Sequence, residues 1–143
     1  MTPERVLAEV ERVMSRPFEW GPADCWSAAC DTFAGLWGFD PMASLRGYRG
    51  ARAAARILAD GGGMAALADR VMTGAGLVAG HATGGLGLAV IEGRGSLLVC
   101  IRPGLWAGKS LRGFALLKSA EMGWHYAQTA AYHHGPGRLC RGS

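Results

Sequence analysis

Phe18-Glu19-Trp20-Gly21-Pro22-Ala23-Asp24-Cys25-Trp26 brings a turn, a helix cap and a cysteine into one short stretch. Gly21-Pro22 punctuates the chain, and Asp24 carries the short carboxylate that caps a following helix. A helix opening at Cys25 puts the thiol in its first turn. There, free N–H groups and the positive end of the helix dipole favour a thiolate, which is how cysteine hydrolases activate their nucleophile. The same cysteine also reads as a small apolar side chain packing a helix onto a sheet. Residue chemistry alone leaves both roles open.

Working outward, residues 3–15 predict a helix. Thr2 can cap it, Pro3 suits its first position, and Val6, Val10, Val13 and Met14 form one apolar stripe. The helix after Asp24 should run over 25–37, with Ala29, Phe33, Leu36 and Trp37 at helical spacing and Gly38 at its end. Cys25 shares the inward direction of Ala29. A third helix is predicted over 51–59, closed by Gly61-Gly62-Gly63, and a short one over 64–71. Arg49, Arg52 and Arg56 fall on one side of the third, as a solvated face or a stripe for an acidic partner.

Beyond residue 76 the period changes. Stretches 77–80, 86–91, 96–102 and 114–118 read as short strands, with Glu92-Gly93-Arg94-Gly95 as a hairpin turn. Ser119 to Trp124 reads as a final short turn or helix. Helices first and a meander afterwards predict an α+β fold, with N-terminal helices packed on a small antiparallel sheet. Residues 1–126 would form one domain, and 127–143, polar with Gly, Pro and Arg, a C-terminal tail that orders on a partner.

The chain has 143 residues, 50% of them apolar and 18% charged, enough for one domain with a substantial core. Its 23 glycines are about twice the usual share and read as turns and tight connections. A net charge of +4, scattered along the chain, does not point to nucleic acid. No stretch has the pattern of a signal peptide or the length of a membrane span. The cysteines at 25, 30, 100 and 140 are therefore expected as reduced thiols made in a cytoplasm. His125, His133, His134 and Cys140 match no standard closed zinc spacing, so no metal and no cofactor is expected. The glycines of 80–87 lie between strands with no helix following, so no phosphate loop is expected either.

Trp20-Gly21-x-x-Asp24-Cys25 followed by strands resembles the NlpC-like branch of papain-fold cell-wall peptidases. The chain also resembles a family of small proteins encoded in phage and prophage tail-gene clusters. That family shares the Phe-x-Trp-Gly-x-x-Asp-Cys opening, the Arg46-Gly47 segment with Tyr48 and Arg49, and a Gly-Gly after the third helix. It also shares a late Gly-Leu…Trp ending, here Gly104-Leu105 and Trp124. The likeness covers residues 1 to about 126.

The resemblance implies that Cys25 matches the nucleophile, with backbone amides near Asp24–Trp26 as an oxyanion site. It places the base histidine at the start of the second strand, where this sequence has Gly85-Leu86-Gly87-Leu88. The third polar residue would fall between Ser96 and Cys100. His81, in the loop before that strand, is the one nearby candidate for the base.

Two functions follow as expectations. The first is a structural component of a phage tail tip or baseplate on a peptidase-like scaffold, catalytically impaired. Its partners would be neighbouring tail proteins, and its location the virion after synthesis in the host cytoplasm. The alternative is an active cysteine peptidase or amidase, Cys25 with His81, cutting peptidoglycan during DNA entry. Neither calls for nucleic acid or a membrane.

Overall fold

A computed structural model describes residues 1–91 and 94–126. Helix α1 spans Pro3–Met14; the Thr2 side chain accepts the Arg5 N–H, and Val6, Val10, Val13 and Met14 are buried. Helix α2 spans Cys25–Trp37 and ends at Gly38, whose φ of 90° lets its N–H bond the Ala34 carbonyl. Ala28, Ala29, Cys30 and Phe33 bury the length of α2. The Glu9 carboxylate of α1 lies over Gly35, where a Cβ would displace it.

The segment between α2 and α3 is held by Arg46, which bonds Asp31 on α2 at 2.7 Å and Asp40 at 2.9 Å. Helices α3 (Ala51–Asp60) and α4 (Met64–Gly74) follow, flanking the glycine triplet. The basic stripe of α3 is exposed at Arg49, Arg52 and Arg56, while Ala54 is its buried residue.

The rest is a six-stranded antiparallel sheet in the order β1-β6-β2-β3-β4-β5. Its strands are β1 (Val78–Ala79), β2 (Leu86–Ile91), β3 (Arg94–Arg102), β4 (Leu105–Ser110), β5 (Gly113–Leu117) and β6 (Met122–His125). The α+β class is as expected: helices stand before the sheet and pack on one of its faces. The expected hairpin closes with Ile91 opposite Arg94, and residues 92–93 themselves lie outside the described residues.

Two readings need correction. Residues 105–110, assigned to no element, form β4. Residues 122–124, within the stretch 119–124 expected as a turn or helix, belong with His125 to β6, which crosses the chain to pair with β1 and β2. Trp124 anchors it, fully buried, with its indole N–H on Asp69 of α4 at 3.1 Å. The predicted tail at 127–143 lies outside the described residues.

Side chains alternate between the two faces of the sheet. Leu86, Leu88, Leu97, Val99, Ile101 and Ala107 meet the helices in the main core. Ala89, Leu98, Cys100 and Trp106 form a second, smaller cluster on the other face. No helix among the described residues is long and apolar enough to cross a membrane.

Candidate functional site

The opening motif folds as a small knot in front of α2. Glu19 and Ala23 pair through reciprocal backbone hydrogen bonds of 3.2 and 2.9 Å. Gly21 turns with φ near 100°, and a Cβ on it would meet the Tyr48 carbonyl at 2.3 Å. Glycine is thus required there twice over, by conformation and by space. Asp24, 2% exposed, caps α2 by accepting the Ser27 N–H at 2.9 Å. It also accepts the Gly21 N–H at 3.0 Å and the Tyr48 hydroxyl, while Ser27 donates its own hydroxyl to the Gly21 carbonyl. Asp24 therefore ties the turn, the helix and the segment carrying Tyr48 together. Three of the roughly four lone-pair sites of its carboxylate are spent on that task.

Cys25 opens α2 as expected, half-buried against the main core. Its sulfur faces β3 rather than β2. Burial pushes the thiol up from its ordinary value, and the Asp24 carboxylate adds to that push. Hydrogen bonds from the Leu97 amide, the Ser96 hydroxyl and the Trp26 amide pull it back only in part. A helix start was expected to favour the thiolate. Here desolvation outweighs the dipole, and the neutral thiol is favoured.

A parting in the sheet gives the sulfur this neighbourhood. β3 and β4 are in register from Leu98–Gly108 to Arg102–Leu105, with an irregularity between Cys100 and Arg102. Beyond Gly108, β4 is registered only with β5, through Lys109–Phe114 and Ser110–Gly113. The thiol, Ser96 and Lys109 line a cavity of about 600 Å³. Its walls are largely apolar, with Met42, Leu45, Ile57, Leu58, Met64 and Leu67 among them. The resemblance had put a third polar residue between Ser96 and Cys100, and Ser96 is the one found here; neither Lys109 nor the Trp26 side chain was singled out at this place.

His81 does not join Cys25. Its ring lies edge-on to Trp106, with centroids 5.0 Å apart and planes at 87°. A Cβ on Gly123 would meet that ring at 2.5 Å, and one on Gly87 would meet the Trp106 ring at 2.4 Å. His81 thus packs with the second cluster, across the sheet from the helices and the thiol. His125 sits near it, within 3.0 Å of where a Gly80 Cβ would stand. Gly85, where the resemblance places the base, is no site for a large side chain. A Cβ there would meet the Trp124 carbonyl at 2.5 Å and the Ala82 carbonyl at 3.0 Å. The side chain that does face the sulfur is Ser96, a hydroxyl that cannot serve as an imidazole does.

No group of His, Cys, Asp and Glu among the described residues is arranged to hold a metal. His133, His134 and Cys140 lie outside them.

Residues 2–126 match a protein family described as a domain of unknown function, DUF6950. No curated protein and no solved structure matches the chain.

Proposed function

We propose that this chain, which belongs to the DUF6950 family, is a non-catalytic structural component of a phage tail tip or baseplate, built on a peptidase-like scaffold. The observation that carries the non-catalytic half is the company Cys25 keeps. Its sulfur is desolvated and faced by Ser96 and the Leu97 amide, and the described histidines nearest in sequence lie across the sheet. Acyl transfer to a thiol needs a group that takes the proton and returns it to the leaving amine. A neutral thiol beside a hydroxyl supplies neither step. The tail context rests on the resemblance of the opening motif and the Trp124 ending. The proposed partners are neighbouring tail proteins, and the proposed location is the virion, after synthesis in the host cytoplasm.

The active peptidase is the second reading, and one observation favours it: the cavity reaches Cys25 beside the amides that open α2. One pair of measurements separates the two. Iodoacetamide at pH 7.5 should alkylate Cys25 at least about tenfold more slowly than free cysteine, because the rate follows the thiolate fraction. The unmutated protein should leave peptidoglycan turbidity unchanged, as should Cys25→Ser. Rapid alkylation together with turbidity loss that Cys25→Ser abolishes would establish the peptidase instead. Mass spectrometry of purified virions tests the tail half: the chain should be present at a fixed ratio to other tail proteins.

A further inference from the structure

The sheet parts where the cavity lies, and a piece of strand edge is left unused there. The Cys100 N–H bonds the Gly85 carbonyl, just ahead of β2, at 2.8 Å. Backbone groups alternate along an antiparallel strand. Arg94, Ser96 and Leu98 therefore also turn theirs toward β2, while Gly95, Leu97 and Val99 turn theirs away from it. Val99 is met on that far side by Ala107 of β4. The Leu97 N–H goes to the Cys25 thiol, which lines the cavity. Gly95, two residues further along the same edge, is exposed, lines the cavity, and has no residue of β4 in register with it. It presents one N–H and one C=O, the pair that an added strand takes up.

The surroundings of that edge say what such a strand should carry. Gly95 shares a face with Leu97 and Val99, the one turned to the helices. Having no side chain, it leaves its place to Met64 of α4, whose sulfur lies 2.5 Å from where a Cβ would stand. A methionine adapts to an incoming group at little cost. Helix α3 turns Ile57 and Leu58 to the same cavity and buries only Ala54, so its apolar face is short of a partner. Among the charged lining residues, Asp24 already serves three donors. Lys109 is 4% exposed and makes no ion pair among the described residues. Arg94 is exposed, its guanidinium 5.6 Å from the centre of the Trp20 ring. Two cations thus stand at this cavity without a carboxylate of their own.

We propose that this cavity docks one extended segment of a neighbouring protein, paired with the Gly95 backbone, with an apolar side chain across from Gly95 and an acidic one across from Arg94. Residues directly opposite on paired strands share a face of the sheet, so the first enters among Met64, Ile57 and Leu58 and the second stands beside the guanidinium. This gives the chemistry of the partner in the tail-component reading, and rests on that reading in that Cys25 leaves the segment uncut. A lipid tail suits the apolar wall but has no N–H for the Gly95 carbonyl. Two occupants from the chain itself are mismatched in charge. Strand β5, at the end of the sheet, stands between Arg112 and Lys118, and residues 127–143 hold two arginines and no acidic side chain.

The test titrates the peptide acetyl-Val-Asp-Phe-Asp-Val-amide into the full-length protein by calorimetry, with one-to-one binding expected. Its two Asp flank the Phe, so one of them meets Arg94 whichever way the strand runs. Replacing the Phe by Ala should weaken binding at least about tenfold, the loss of a buried aromatic side chain. Methylating the Phe amide nitrogen leaves every side chain in place and should weaken it about tenfold, by removing the hydrogen bond to the Gly95 carbonyl. In amide-resolved NMR the Gly95 N–H should shift saturably over the same concentrations. Exchanging both Asp for Lys should weaken binding about fivefold, and Arg94→Glu, at an exposed position, should reverse that preference. The peptide should be recovered intact. The proposal is overturned by no saturable binding, by equal binding of the N-methylated peptide, or by a preference for Asp that Arg94→Glu leaves unchanged; the non-catalytic reading survives each of these. Binding followed by cleavage would overturn that reading and this one together. Binding of dodecanoate or of a 127–143 peptide in place of this one, or self-association of the chain that shields Gly95, would overturn it in favour of that occupant.

Discussion

At the scale of single residues, Asp24 holds more of the site together than Cys25 does. It serves three donors from three pieces of chain, and each of them is buried or part-buried. Asp24→Ala removes the helix cap, worth about 1 kcal/mol. It also strands the Gly21 N–H and the Tyr48 hydroxyl, each at about 1–3 kcal/mol. A total loss of about 3–7 kcal/mol is expected in urea unfolding at pH 7. Asp24→Asn keeps the oxygen that accepts the Ser27 N–H but turns an N–H toward the Gly21 N–H, so its loss should fall between the parent and the alanine variant. Equal stability of all three proteins would refute the three-way tie. The cap itself was legible in sequence, since an Asp before an apolar helical period after Gly-Pro has few other uses. Its bond to Tyr48 was not, because nothing local announces a contact across 24 positions.

At the scale of elements, the second face of the sheet is organised by small residues under one large one. Gly87 and Gly123 are opposite each other on β2 and β6. A Cβ on the first would strike the Trp106 ring, and one on the second would strike His81. Gly87→Ala should therefore cost about 1–3 kcal/mol, the usual range for overpacking, and lower the thermal midpoint. Gly74→Ala is the control. That glycine ends α4, and its added Cβ would meet nothing within 4 Å. Helix propensity then gives a gain of about 0.5–1 kcal/mol. A Gly87→Ala protein as stable as the parent would show that Trp106 does not press on the strand.

The same packing explains which elements sequence could reveal. The helices and β2 announced themselves because each buries one face or forms an uninterrupted apolar run. β4 is covered on both sides, with Trp106 in one cluster and Ala107 in the other. It also carries a buried lysine, so its period-two signal is lost. β6 is four residues long and is a strand only because β1 and β2 accept it. His81 was singled out because it is near β2 in sequence. Nearness in sequence does not say which face a loop folds over, and the ring went to Trp106. Ser96, Lys109 and Trp26 line one cavity where β4 leaves β3 after Gly108, a long-range register that no local pattern encodes.

For the whole molecule, titration of buried acids sets how the fold meets rising pH. Burial raises the Cys25 thiol and raises the fully buried Cys30 thiol well above its ordinary value. Burial pushes Cys100 up to about 11, and burial with the Asp24 carboxylate raises the Tyr48 hydroxyl. The unfolded chain ionises its thiols near about pH 8.5, while the folded chain keeps them neutral beyond that. Below about pH 8 both states carry the same protons on these groups, and stability is flat with respect to them. Above it the unfolded state sheds protons first, so stability falls by about 1.4 kcal/mol per pH unit for each thiol. The fall continues until pH passes the folded value. Lys109 works the other way: burial and the Arg16 charge lower it, so where it titrates the unfolded state holds its proton longer and the lysine opposes the thiols' decline. Urea unfolding at pH 7, 8, 9 and 10 should thus give a plateau and then a decline. Cys100→Ala should make that decline shallower by roughly one thiol's share while leaving the plateau flat. An unchanged slope in Cys100→Ala would mean that Cys100 ionises as freely in the folded chain as in the unfolded one, and constant stability to pH 10 in the parent that all these thiols do. The neutral Cys25 on which the non-catalytic reading depends would then lose its physical basis.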